Sequence, residues 1–199
     1  MKNKYLLIIS FILFILITLL VITGYSYYYE EAFYNLLSIT KTKTSIMKII
    51  TFFGGQIFVS LLCIILLFIP KLSYKIGTPI TITIIINGII NIILKNIFMR
   101  QRPNINQLVN EVGFSYPSGH SMNIIAITTM LSLLLFRYLK NKKKVYCITI
   151  LLFLITLLVG FSRIYLGVHY LGDVIGGFLI GYVITTIIYY LWDKYTKNS

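Results

Sequence analysis

Three short stretches of this sequence carry residues able to do chemistry. They are Lys95 to Pro103 (KNIFMRQRP), Pro117-Ser118-Gly119-His120, and Ser162 to Asp173 (SRIYLGVHYLGD). In the third, His169 and Asp173 stand four apart, so on a helix they share a face. A carboxylate bonded to one imidazole nitrogen fixes the tautomer and leaves the other nitrogen with a free lone pair. That makes an aimed nucleophile or base. The plainer reading is an aspartate favoured by a helix N-terminus. In the second stretch Ser118 suits an N-cap, and Gly119 lets the backbone approach closely. The first N–H groups of the helix that starts there form an anion site. Taken alone, this tetrapeptide is only a helix start and His120 a packed imidazole.

The cations Lys95, Arg102 and Arg163 are distributed over the first and third stretches, with Glu111 and Asp173 as the nearby carboxylates. Cations gathered with so little neutralisation call for another anion. Phosphate fits, because the planar fork of arginine meets its oxygens in pairs. The alternative is that long cationic side chains snorkel to lipid head groups in general, and that is the reading adopted for Arg100. Two histidines and an aspartate could also hold a metal, but cations crowding the same face would repel a divalent ion. The expectation is therefore no metal and no cofactor.

The elements that position these residues must be membrane helices. The chain has 199 residues, 58% hydrophobic and 12% charged, with a mean hydropathy of +0.87. Too few charges exist to coat a soluble domain of this size. The net charge of +13 does not point to nucleic acid, which requires a basic face on a water-soluble fold. The lysines lie between apolar runs, where they set topology. Cys63 and Cys147 lie inside apolar runs without metal spacing and read as small packing residues. The isoleucine bias and scarcity of alanine suit an AT-rich bacterial genome.

A spanning helix needs about 20 mainly apolar residues. Six segments qualify: Tyr5–Thr23, Gly55–Ile69, Pro79–Phe98, Ser118–Phe136, Val145–Gly160 and Val174–Trp192. The expected fold is an all-α integral membrane bundle of six spans, forming one domain over residues 1–199. The first span follows a basic start, Lys2 and Lys4. It reads as an uncleaved anchor, because its apolar core is long and bulky YSYYYE follows it. Between the first two spans, charge mixes with apolar residues at helical spacing, which predicts one short interfacial helix. Tyr25, Tyr27, Tyr28 and Tyr29 suit one aromatic belt, and Tyr189, Tyr190 and Trp192 the other. Lysines and arginines at 71–75, 137–144 and 194–197 outweigh those at 41–48, so both termini are expected in the cytoplasm. All three chemical stretches then fall on the outer face of the plasma membrane.

On these residues the chain resembles the type 2 phosphatidic acid phosphatase superfamily, in its membrane branch. That family's pattern is Lys-x6-Arg-Pro, Pro-Ser-Gly-His and Ser-Arg-x5-His-x3-Asp. Here it stands as Lys95…Arg102-Pro103, Pro117-Ser118-Gly119-His120 and Ser162-Arg163…His169…Asp173, with every fixed position filled. The resemblance implies that His169 attacks phosphorus to form a phosphohistidine and that Asp173 orients it. His120 would protonate the leaving oxygen and then activate water. Lys95, Arg102, Arg163, Ser118 and the Gly119 N–H would hold the phosphoryl oxygens. It further implies metal-independent hydrolysis of a lipid phosphate: undecaprenyl pyrophosphate, phosphatidylglycerophosphate or phosphatidic acid. The substrate would enter from the bilayer, and no obligate protein partner is expected. A membrane protein that binds or flips a phosphate lipid without hydrolysis would share the cations, but would leave the His–Asp pair beside a second histidine unexplained. The loop Asn104 to Gly113 is the remaining candidate for reading a head group.

Overall fold

The computed structural model describes residues 4–37, 40–104 and 107–198. Lys2 of the basic start, and Ile105 and Asn106 of the Asn104–Gly113 loop, lie outside the described residues. Nine α-helices run in chain order among those described: α1 Lys4–Ile22, α2 Tyr27–Asn35, α3 Lys41–Phe52, α4 Gln56–Phe68, α5 Pro70–Leu72, α6 Thr78–Phe98, α7 Gly119–Tyr138, α8 Lys142–Tyr165 and α9 Leu171–Asn198. A π-helical turn, Ser73–Gly77, joins α5 to α6. Six stretches are long and apolar enough to cross a membrane: Lys4–Ile22, Lys41–Phe68, Pro70–Phe98, Gly119–Tyr138, Lys142–Tyr165 and Leu171–Lys197. The six-span, multi-pass reading therefore holds.

Between the first two spans lies one short helix, α2, as expected; α3, whose residues the sequence reading placed there too, falls within the second span. Thr40 separates them, and its side chain caps α3 by accepting from the Lys43 N–H at 3.3 Å. At 13 residues, α4 is only about 20 Å long at 1.5 Å per residue, short of a hydrocarbon core of about 30 Å. Residues of α3 must supply the rest of that span, with the break falling at Phe53–Gly55.

The outer helices are apolar all round. On α1, Leu13, Leu16 and Leu20 are as exposed as Phe14 and Val21 are buried, the pattern of a helix flanked by lipid on one side and protein on the other. α8 likewise turns Leu151, Leu154 and Leu158 outward. Cys147 is exposed there, so only Cys63 is the packed cysteine that its sequence context suggested. At the centre, α7 packs on α6, α8 and α9, and α9 packs on α1, α6 and α7. Lipid tails are as apolar as leucine, so close van der Waals approach and interhelical hydrogen bonds must hold such helices together. Thr128 and Thr156 share a hydroxyl contact of 2.9 Å between α7 and α8. Thr18 of α1 does the same with Tyr116 at 2.6 Å.

Small residues on α9 let α7 come close. A Cβ on Gly177 would lie 2.7 Å from the Ser118 carbonyl oxygen and 2.9 Å from the Ser121 Cβ; on Gly181 it would lie 3.1 Å from the Met122 carbonyl oxygen. These two glycines, four apart on one helix face, seat the start of α7 against α9. Gly177→Ala should therefore destabilise by roughly 1–3 kcal/mol through overpacking. Gly88→Ala on α6, where nothing lies within 4 Å of the new Cβ, should be neutral or gain about 0.5–1 kcal/mol from helix propensity. Thermal denaturation of the detergent-purified variants measures both.

Candidate active site

The C-terminal ends of α6 and α8 and the N-terminal ends of α7 and α9 meet at one end of the bundle. α6 stops because Met99 adopts a left-handed conformation, φ 44°, while its N–H still donates to the Lys95 carbonyl. The chain then leaves the helix without regular secondary structure. Pro103 disfavours a helical conformation for the residue before it, so the helix does not resume at Arg102. Arg100 and Arg102, two residues apart, grip the two ends of the His–Asp pair. Arg100 Nη1 lies 2.6 Å from Asp173 Oδ1, and Arg102 Nη1 lies 3.2 Å from His169 Nε2. Arg102 is further fixed by donating to the carbonyls of Val168, Gly113 and Val112.

His169 and Asp173 do pair, with 3.3 Å between Nδ1 and Oδ2. The reason is not a shared helix face, since His169 precedes α9. Asp173 is the third residue of α9 and reaches back, accepting from the Tyr170 backbone N–H at 2.9 Å through the same Oδ2. This is the reciprocal half of a capping box, an acid at N3 returning to the N-cap N–H. The spacing His-x3-Asp thus follows from helix initiation. Both side chains are buried. Burial pushes the His169 imidazole down to about 4; the Asp173 hydrogen bond and charge pull it up, and Arg163 and Arg102 push it down further.

Arg100 corrects the sequence reading, which sent it to lipid head groups. Its side chain is only 10% exposed, and it bridges Asp173 to Glu30 of α2, with Nη2 at 2.5 Å from Glu30 Oε2. Its guanidinium also stacks over the Tyr170 ring at 4.3 Å. Burial opposes its charge, yet Asp173 and Glu30 together hold its pKa above the ordinary range. Glu30 accepts in addition from the Gly172 N–H at 2.8 Å. Sequence reasoning overlooked Glu30. A signal existed: the chain has only five acidic residues against eighteen lysines and arginines, so each carboxylate has a cation to find.

Arg163, in the last turn of α8, is almost fully buried. It donates through Nη1 to Thr51 Oγ1 at 2.7 Å and pairs through Nη2 with Glu111 Oε1 at 2.5 Å. Its Nε has no hydrogen-bond partner among the described residues. Glu111 Oε2 also stands 3.8 Å from Arg102. Burial pulls Arg102 down in pKa while Glu111 and Asp173 raise it. The Lys95 ammonium donates to the Phe114 carbonyl. Four cations (Lys95, Arg100, Arg102, Arg163) against three carboxylates (Glu30, Glu111, Asp173) leave one net positive charge, with Glu111 between two of the arginines.

The Pro-Ser-Gly-His stretch opens α7 as expected. Ser118 is the N-cap, its Oγ accepting from the Ser121 N–H at 3.4 Å, and its own N–H donates to the Asp173 carbonyl at 3.0 Å. The capping segment is therefore tied to α9 where the dyad sits. Asn91 of α6 steadies it, donating to the Pro117 carbonyl at 3.0 Å, with its Oδ1 packed where a Gly119 Cβ would stand. His120 is half-buried against the Gly54–Gly55 turn between α3 and α4; a Cβ on Gly55 would be 3.5 Å from its Nε2. It lies within electrostatic reach of Arg163, His169, Arg102 and Lys95. The eight residues singled out from sequence, Lys95, Arg102, Ser118, Gly119, His120, Arg163, His169 and Asp173, are thus brought to one end of the bundle. Thr51, Asn91 and the Gly54–Gly55 turn had no motif to reveal them.

A polar cavity of about 410 Å³ opens beside Arg102, walled by Gln101, Pro103, Asn104, Gln107, Glu111 and Gly113. The loop suspected of reading a head group lines it. A larger cavity of about 680 Å³ lies at the other end of α1 and α9, between Lys4, Leu7, Ile187 and Tyr190, far from any of these groups. No cluster of three or more His, Cys, Asp or Glu side chains suited to a metal ion occurs among the described residues.

Of the three carboxylates, Glu111 is the loosest: its side chain is 30% exposed, against 4% for Glu30 and none for Asp173. An anion reaching Arg163 would have to compete with it. Glu111→Gln should leave Arg163 buried without a counter-charge and lower the melting temperature, the removal of one partner of a buried pair costing about 3–5 kcal/mol. Inorganic phosphate should then stabilise the variant more than the wild type, as expected for a ligand that binds only the folded state. Thermal shifts across a phosphate titration test this.

Residues 76–197 match the family model of the PAP2 superfamily. The chain is 41% identical over 104 residues to phosphatidylglycerophosphatase B of Bacillus subtilis, covering 50% of each chain. It is 34% identical over 122 residues to an undecaprenyl-diphosphatase of Sulfolobus acidocaldarius, covering 58% of this chain and 55% of the relative. The chain thus spans about half the length of the curated relatives it matches. The crystal structure of a transmembrane PAP2 type phosphatidylglycerolphosphate phosphatase from Bacillus subtilis superposes with a TM-score of 0.87 at 29% identity, over 96% of this chain and 98% of that one. The matched residues carry all three motifs and the side chains they bring together, and the chain belongs to the PAP2 superfamily.

Proposed function

We propose that this protein hydrolyses the phosphate of a membrane lipid through a phosphohistidine on His169. The observation that carries the reading is the polarity of that imidazole: Nδ1 faces the Asp173 carboxylate at 3.3 Å, and Nε2 faces the Arg102 guanidinium at 3.2 Å. Nε2 is the nucleophile. Its lone pair attacks phosphorus while the bond to the leaving oxygen breaks, and His120 gives that oxygen its proton. Water then attacks the phosphohistidine, His120 takes a proton from it, and the N–P bond breaks to release inorganic phosphate. Asp173 holds the tautomer and steadies the developing positive charge. Phosphoryl transfer is mostly positioning and charge stabilisation. Lys95, Arg102, Arg163, Ser118 and the Gly119 N–H hold the phosphoryl oxygens, so the reaction runs without a metal.

The site faces the outside of the membrane, with both termini in the cytoplasm, and the lipid enters between helices with its tails still in the bilayer. The relatives' names divide between a monoester phosphatase and a diphosphatase. The substrate is accordingly sought among phosphatidylglycerophosphate, phosphatidic acid and undecaprenyl pyrophosphate. Phosphate release from this panel by detergent-purified protein, with a chelator present, tests the reading. Activity should survive the chelator, be inhibited by vanadate and disappear almost completely in His169→Ala. Chelator-sensitive turnover would overturn the metal-free mechanism, and unchanged turnover in the variant would remove His169 from its role.

The pH dependence follows from the buried imidazole. Burial and the nearby arginines disfavour its protonated form, so the nucleophile stays neutral well below the ordinary histidine range and is lost only near pH 4. The acid limb of kcat/KM should therefore fall clearly below 6.5, the usual histidine value. A pH–rate profile with a substrate in detergent micelles measures it.

A further inference from the structure

Behind the imidazole, away from Arg102, a chain of buried charges runs to the surface helix α2. Asp173 divides its oxygens: Oδ2 accepts from the Tyr170 N–H at 2.9 Å and faces His169 Nδ1, whereas Oδ1 takes Arg100 Nη1 at 2.6 Å. The other arm of Arg100 lies 2.5 Å from Glu30 Oε2 and 3.3 Å from Ser26 Oγ, and its plane is stacked on Tyr170. Tyr170 is itself tied to α2 through the Tyr27 hydroxyl at 2.8 Å. Arg100 stands at one of the unspecified positions of the Lys-x6-Arg-Pro stretch, and Glu30 lies outside all three motifs.

We propose that Arg100 and Glu30 are positioning residues for the Asp173–His169 dyad. Arg100 holds Asp173 so that a single oxygen is left for the imidazole, and Glu30 sets how much of Arg100's charge reaches it. The inference rests on the phosphatase reading for its kinetic consequences but not for its electrostatic ones. A planar, two-armed guanidinium spanning two carboxylates cannot be replaced by the point charge of a lysine. On the Asp173 side of the imidazole stand Asp173, Arg100 and, through Arg100, Glu30. Arg102 faces Nε2, Arg163 and His120 also interact with His169, and Lys95 and Glu111 interact with Arg102 in turn. These groups remain in every Arg100 and Glu30 variant, so their effect is common to all of them.

The sign differs between the two partners. Arg100→Gln leaves Asp173 and Glu30 without their shared cation, which favours the imidazolium, so His169 should titrate higher. Glu30→Gln leaves Arg100 to Asp173 alone and weakens the field of that carboxylate, so His169 should titrate lower. Shifts of about one unit are the scale for a charge at this range. With only two histidines in the chain, side-chain nitrogen NMR reads His169 directly in the detergent-solubilised protein, with His120→Gln serving to assign the signals. This measurement needs no turnover and stands even if the phosphatase reading fails. In a phosphatase assay, Arg100→Gln should lower kcat by tenfold or more with KM within about threefold, in keeping with the cost of misplacing a reacting group. Arg100→Lys should recover the titration of His169 but not kcat. Opposite shifts in the two variants support the proposal. Equal titration in wild type, Glu30→Gln and Arg100→Gln would overturn it, as would full kcat in Arg100→Gln. Should Arg100→Gln not fold, the downward shift in Glu30→Gln decides.

Discussion

The structure depends on keeping one carboxylate, Asp173, charged where water does not reach it. Its side chain is fully buried, and a carboxylate taken out of water without partners costs several kcal/mol even after relaxation. The partners that offset this cost come from two pieces of chain: Arg100 from the α6–α7 connection, His169 and the Tyr170 N–H from the α8–α9 turn. The backbone carbonyl of the same residue receives the Ser118 N–H at the start of α7. Solving the electrostatic problem of one aspartate therefore assembles three segments into a single site. In this fold, satisfying a buried charge and assembling the candidate site are the same event.

The remaining charges follow the same logic with graded strength. Arg163 is buried as deeply as a core leucine, which only an arginine with its weakly hydrated, forked cation does readily. Thr51 and Glu111 satisfy two of its arms. Glu30 and Asp173 are locked between backbone N–H groups and Arg100, whereas Glu111 hangs from a partly exposed loop. The permanent counter-charges are thus structural, and the yielding one stands where an anion would come. The pull of four cations on three carboxylates is modest as a net charge, but it is concentrated in low dielectric, where each interaction is stronger than in water.

The helices contribute through shape. With no hydrophobic drive between spans in lipid, α7 and α9 must touch backbone to side chain. Gly177 and Gly181 permit this against Ser118 and Met122. The same close approach sets the height of the α7 N-cap relative to Asp173, so packing in the membrane interior governs geometry at its surface. On the other side, the Gly54–Gly55 break between α3 and α4 makes room for His120.

Much of this could be read without coordinates. Apolar run length determines spans, since each must cross the same thickness with all its backbone groups paired, and Lys4–Ile22 falls within one residue of its expected place. The spacing within each motif determines local geometry: Ser118 starts a helix, and the His-x3-Asp spacing brings its two side chains together, although by helix capping and not by the shared helix face expected. What those local rules do not contain is which distant group each side chain meets. Arg100 looked like a surface cation because nothing in its neighbourhood along the chain announces Glu30, seventy residues away. The pairing of Glu111 with Arg163 was likewise decided only when the bundle closed, because burial converts an indifferent surface charge into one that must find a partner.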